Sequence, residues 1–255
     1  MWVNSMLSTT SCGIDSAHTT LALLIVLSVT AGCTDIIGFL DLNHLFTAHI
    51  TGNLVILAAH FVIGGRAEIA QMLSVPIFIV ILSLTVLLAH WLVSVGRSSL
   101  CPLLLLQFLF LAGSLAICVA AGPRIDPVAP KAIFAGMLVV SAMAVQNALV
   151  QISLPGAPAT AVMTSNVTRF AVDVGTLLRG ADPIDRAKAR SRVARTLPVI
   201  IGFTLGCGLG AACEAAIGLR ALALPVGFVL ISFAIGFALE SDERRRSSYQ
   251  AAAIR

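Results

Sequence analysis

The chain is read as an all-α, polytopic membrane protein built from two internal repeats of about four hydrophobic segments each. Three observations support this. Of its 255 residues, 58% are hydrophobic and only 11% are charged, and the mean hydropathy is +0.99. Soluble chains carry about 25% charged residues. The apolar residues gather into windows of about 20, enough for a helix to cross a hydrocarbon core of ~30 Å, and they lack the alternation of a barrel strand. Finally, Thr47-Ala-His-Ile-Thr-Gly-Asn53 returns as Thr160-Ala-Val-Met-Thr-Ser-Asn166. Polar phrases at matched places in two apolar halves point to duplication.

The windows cover residues 20–42, 46–63, 72–95, 100–121, 132–152, 159–178, 196–218 and 221–240. Residues 1–19 form a polar N-terminal tail. Thr30-Ala-Gly-Cys33 resembles a lipoprotein cleavage site, but no Lys or Arg precedes it and the apolar run continues to Leu40. A signal peptide has a basic start and a shorter core, so the first window is expected to stay as a helix. Gly, Pro and Arg punctuate the segment ends, at Gly64-Gly-Arg66, Gly96-Arg97, Gly122-Pro-Arg124 and Pro155-Gly-Ala-Pro158. The first membrane repeat spans 20–121, a connecting loop 122–131, the second repeat 132–240, and a C-terminal tail 241–255.

The correspondence extends past the opening phrase. Arg66 matches Arg179, Pro76 matches Pro198, and Arg97 before Pro102 matches Arg220 before Pro225. If all eight segments cross, thirteen Lys and Arg fall on one side and two on the other, with Arg169 left within a segment. The rival model folds 46–63 and 159–178 back as re-entrant half-helices, leaving six spans and a division of eleven to four. Eight spans give the sharper asymmetry and are preferred. Both models put the two termini on the cytoplasmic side. Between segments, Asp182 and Pro183 form a helix start, after which Arg186, Lys188, Arg190, Arg192 and Arg195 make a short basic helix at the inner leaflet.

Ionisable and amide side chains inside a span need partners or a water-filled cavity, which makes them candidates for function. Asp35 lies deep in the first segment, and Gln146-Asn147 stands near the matching place in the second half. His49, Thr51, Gly52 and Asn53 form the first polar phrase. Thr164, Ser165 and Asn166 form the second. Asn166, Arg169 and Asp173 share one helix face, so Asp173 is the expected partner of Arg169, with Asp35 as a long-range alternative. Small residues let backbones approach closely, while Thr and Asn satisfy a broken turn. The two phrases are expected to meet near mid-membrane in one pseudo-symmetric polar site.

No His-Glu-x-x-His, Gly-x-Ser-x-Gly or Gly-x-x-x-x-Gly-Lys motif is present, so neither an enzyme nor an ATP-driven pump is expected. The six cysteines show no Cys-x-x-Cys spacing, and no metal or other cofactor is expected. A Cys101–Cys213 bridge would need both at one membrane face. With so few charges there is no basic face for nucleic acid. The expected partners are the lipid bilayer and a small-molecule substrate, with homo-oligomerisation left open.

Ala31-Gly-x-x-Asp35-x-Ile-Gly-Phe39, Thr51-Gly-Asn53, Ala144-Val-Gln-Asn-Ala148 and the phrase Thr160 to Asn166 resemble the YoaK-like family of bacterial inner-membrane proteins. The resemblance covers residues 20–240 and departs from the family pattern at Ser165, where Gly is usual. It implies a multi-pass protein of the bacterial inner membrane, commonly with six spans. It supplies no biochemical activity. The residues themselves point to a transporter or channel for a small polar or anionic solute, with a non-transporting scaffold or regulatory subunit as the alternative.

Overall fold

The computed structural model describes residues 2–63, 69–122, 125–180 and 182–253, with side chains between Ala17 and Arg244 except Phe61, Ile63 and Glu243. Arg66, Arg124 and Arg255, three of the residues used to weigh topology, lie outside the described residues. In chain order the helices are α1 (Trp2–Asp41), α2 (Ile50–Ile63), α3 (Ile69–Ser94), α4 (Leu100–Ala121), α5 (Pro130–Ser153), α6 (Met163–Leu178), α7 (Pro183–Ile217) and α8 (Ala223–Ala253), with a 3-10 turn at Gly218–Leu222 before α8. Every apolar window therefore becomes a helix.

Two expectations change. The basic stretch after Asp182 is not a separate short helix, because α7 runs unbroken from Pro183 through the apolar window to Ile217. The eight segments are also unequal. α2 has 14 residues and α6 has 16, which at ~1.5 Å per residue fall short of a ~30 Å core. Five stretches among the described residues are long and apolar enough to cross. These are Ala17–Asp41, Ile69–Ser94, Leu100–Ala121, Pro130–Ser153 and Pro183–Asp242, the last of which turns at Gly218 and so holds both α7 and α8.

Side-chain contacts fix the helix directions. Thr34 Oγ1 meets Met143 Sδ at 3.3 Å and Gln146 Nε2 donates to Leu27 O at 2.9 Å, so α5 runs antiparallel to α1. α7 runs parallel to α1, with Gly202, Gly206 and Gly210 meeting Ile25, Val29 and Cys33 in order. The approach is close enough that a Cβ on Gly206 would lie 2.3 Å from Val29 O, and one on Gly32 would lie 2.2 Å from Phe203 O. Only glycine permits this contact. α4 lies antiparallel to α5 through Ser114–Ala135, Gln107–Gln146 and Ser99–Ser153. Glu240 of α8 accepts from Ser98 Oγ and Cys101 N at the start of α4.

α5 is the most enclosed of these helices and α3 among the least. Along α5, Met143, Ala144, Val145, Gln146 and Leu149 are all fully buried. α3 instead presents Ile79, Val80, Leu84, Leu87 and Trp91 outward, the side chains a hydrocarbon solvent would cover. Several buried hydroxyls in the spans bond a carbonyl of the preceding turn, as in Ser28 to Leu24 O and Ser141 to Met137 O.

Candidate functional site

At the end of α1 the chain reverses through Asn43 and His44, both in the left-handed region (φ 56° and 60°), a conformation that Asn and His tolerate better than most residues. Gly38 makes room for the return, since a Cβ there would sit 2.8 Å from Leu45 O. The chain then passes back alongside α1 as far as Asp35. That carboxylate, 5% exposed, accepts the main-chain N–H of Thr47 at 2.8 Å and of Ala48 at 2.7 Å on Oδ1. Its Oδ2 meets His49 Nδ1 at 2.5 Å. α2 starts at Ile50, one residue later. Asp35 thus supplies from another helix the negative charge that the first turn of a helix favours.

Asn53 closes the hairpin from the other side. Its Nδ2 donates to Phe46 O at 2.7 Å and to Ser74 Oγ at 2.9 Å, while its Oδ1 accepts Phe46 N at 2.9 Å. Beside the hairpin lies a cavity of about 580 Å³, lined by Asp35, His49, Thr51, Gly52, Cys207 and a wall of Phe39, Phe46 and Phe203. The imidazole of His49 stands edge-on to Phe203, with ring centroids 5.4 Å apart. Its Nδ1 is engaged by Asp35, and among the described residues its other nitrogen makes no hydrogen bond, which leaves it to serve a ligand or carry a proton.

The second phrase builds a similar hairpin with different chemistry. Asn166 Nδ2 donates to Ala159 O at 2.6 Å, the counterpart of Asn53 bonding a carbonyl seven residues earlier. In place of a carboxylate, Gln146 donates to Thr160 Oγ1 at 2.9 Å and accepts from Gln107 Nε2 at 2.7 Å. Asn147 is spent partly on its own helix, donating to Met143 O. The cavity here measures about 450 Å³ and is lined by Asn147, Gln151, Thr160, Ser165 and Arg169, among others.

The expected single site resolves into two separate ones. Thr51 and Gly52 line the first cavity, Ser165 and Arg169 the second, and Asn53, Asn166 and Gln146 are fully buried structural clasps. Thr164 is exposed and lines neither cavity. The first hairpin reaches α1 at Asp35 and the second at Leu27 through Gln146, about 12 Å apart along the axis at ~1.5 Å per residue. Packed side chains fill the space between, including Leu27, Ala31, Met143 and Ala144.

The expected ion pairs are also corrected. Asp173 is held by Arg192 of α7, through Nε at 3.0 Å and Nη2 at 2.5 Å, instead of by Arg169. Asp35 is paired with His49. Arg169 is exposed and makes no ion pair among the described residues. Its position follows from the antiparallel packing of α6 on α7, which sets it one turn beyond the Asp173–Arg192 pair, where it shares a recess with Arg192, Arg195 and Thr196. Cys101 and Cys213 are both free, and they sit at opposite ends of their helices, Cys101 near Glu240 and Cys213 near the turn at Gly218. Sequence reasoning missed the aromatic wall and Gln107, because a Phe or Gln within a span carries no positional signal of its own. Among the described residues, no group of three His, Cys, Asp or Glu is placed to hold a metal ion.

Comparison with known proteins agrees with a membrane protein of several apolar helices. The chain is 57% identical over 35 residues to the UPF0700 transmembrane protein YoaK of Bacillus subtilis (strain 168), a stretch covering 14% of this chain and 16% of that relative's length. No solved structure matches. The model of the family described as "Protein of unknown function (DUF1275)" matches residues 23–235, nearly the whole helical region, and the chain is therefore a multi-pass helical membrane protein of the DUF1275 family.

Proposed function

We propose that the protein is a non-enzymatic secondary transporter for a small polar or anionic solute, with the Asp35–His49 pair as its working centre. One observation carries this reading: a buried carboxylate caps the start of a half-helix and orients a histidine at the wall of a 580 Å³ cavity. Ionisable groups within the membrane concentrate where ions, protons or substrates pass. Broken helices whose ends face a cavity are the usual way transporters hold solutes. Covalent catalysis by the pair would draw on the nearby Cys207, whose thiol makes no hydrogen bond to His49 among the described residues.

The helix packing supports an internal repeat of inverted sense. Pairing α1 with α5, α2 with α6, α3 with α7 and α4 with α8 maps the contacts α1–α7, α2–α3 and α1–α8 onto α5–α3, α6–α7 and α5–α4, all of which occur. Because α1 and α5 are antiparallel, the two halves have opposite direction in the membrane. This favours six crossings with α2 and α6 as re-entrant half-helices, the arrangement that eleven cytoplasmic against four external Lys and Arg also allows. Both termini are then cytoplasmic, in the bacterial inner membrane. A second reading, a membrane scaffold, draws support from the fully buried side chains between the two hairpins.

The two readings separate by ligand binding and flux. Purified protein is screened against small metabolites by thermal stabilisation, since a ligand that binds the folded state raises its apparent stability. The hit is then followed into proteoliposomes. Wild type should accumulate it, while Asp35→Asn and His49→Ala should fold yet lose at least about tenfold in flux. Absence of stabilisation across the panel, or equal flux in wild type and Asp35→Asn, would move the function to the scaffold.

A further inference from the structure

The two hairpins differ in charge. In the first, the polar turn meets an acid of the protein itself, Asp35. In the second, the corresponding partner is neutral Gln146, whose amide is already committed to Leu27, Thr160 and Gln107. The cavity beside it is lined by Asn147, Gln151, Thr160 and Ser165 alongside apolar residues such as Val150 and Leu154, with Arg169 as its cation. Arg169 also borders an adjoining recess of about 90 Å³ that contains Asp173, Arg192 and Arg195. Within that recess the acid is spent, because Asp173 takes Arg192 through both Nε and Nη2. Arg169 and Arg195 remain with no carboxylate partner among the described residues.

We propose that a phosphate group binds where this cavity meets the adjoining recess, held by Arg169, which lines both, and by Arg195 from the recess side. Guanidinium forks match phosphate oxygens. The lining of Asn147 and Gln151 adds amide donors where a purely hydrophobic wall would suit only a lipid tail. The basic face at the start of α7 draws anions toward the recess, but it does not define the site. Arg186 and Arg190 line neither cavity. The phosphate can come from two sources, a soluble phosphate compound or an anionic phospholipid headgroup. This site stands apart from the Asp35–His49 cavity and holds whether or not that cavity transports.

The test uses the full-length protein in nanodiscs of phosphatidylcholine at constant ionic strength. Inorganic phosphate is titrated against chloride and the melting midpoint is read. In parallel, native mass spectrometry reads retained phosphatidylglycerol after exchange into neutral detergent. Arg169→Gln and Arg195→Gln are compared with Arg186→Gln. Losing a charge-assisted bond should weaken apparent affinity about tenfold or more. A phosphate-specific midpoint rise in wild type and Arg186→Gln that is lost in the two site variants identifies a soluble ligand. Loss of phosphatidylglycerol retention alone in those variants identifies the headgroup. Either result supports the site, and because the two variants lie on different helices, a folding failure in one leaves the other informative. Equal loss in Arg186→Gln would show only a diffuse basic surface and overturn the proposal. So would no selective binding of either probe by wild type.

Discussion

Replacing Asp35 with alanine strips the partner from the N–H groups of Thr47 and Ala48, which are held at 2.8 and 2.7 Å, and frees the His49 ring. Each buried amide left unsatisfied costs about 1–3 kcal/mol. Two of them, reduced somewhat by water entering from the adjoining cavity, give a loss of about 2–4 kcal/mol. At about 2–4 °C per kcal/mol for a chain of this size, the midpoint should fall by roughly 5–15 °C. Asp35→Asn keeps one acceptor oxygen for the amides and loses only the charge, so about 1–2 kcal/mol is expected. The pair of variants separates holding the hairpin from carrying charge: Ala should harm folding and transport, Asn chiefly transport. Thermal unfolding in detergent gives the first quantity, and hydrogen exchange at Thr47 and Ala48 localises it. If Asp35→Ala melts within about 2 °C of wild type with those amides still protected, the carboxylate does not hold the hairpin and the reasoning is wrong.

Two further outcomes follow from the same geometry. Gly206→Ala should cost about 1–3 kcal/mol or more, because its Cβ would fall 2.3 Å from the backbone oxygen of Val29, which cannot rotate away. Gly208→Ala, with nothing within 4 Å of the added carbon, should be neutral or stabilising by up to ~1 kcal/mol through helix propensity; thermal unfolding compares them directly. On a cysteine-free background, Ser191→Cys should resist and Lys131→Cys should accept a membrane-impermeant maleimide applied to intact cells. Protection of both would restore eight crossings.

Local information was enough for the helices. Each apolar window became one because a polar backbone in hydrocarbon must satisfy its own hydrogen bonds, and Asp182 with Pro183 marked the start of α7 as their local preferences require. Asp35 was legible as a functional candidate because a carboxylate in an apolar run has no neutral explanation in sequence. Its partner was not: His49 is 14 residues away, and the pairing depends on a chain reversal through Asn43 and His44 that composition does not announce. The Arg169–Asp173 pairing failed for the complementary reason. One-face spacing on α6 made it available, yet α7 brought Arg192 to the same carboxylate with two donors and better geometry. The duplicated phrase determined that two hairpins would be alike. Only the tertiary structure decided that they do not meet, because the antiparallel packing of α1 and α5 joins the hairpins to α1 at different depths, with packed side chains between them.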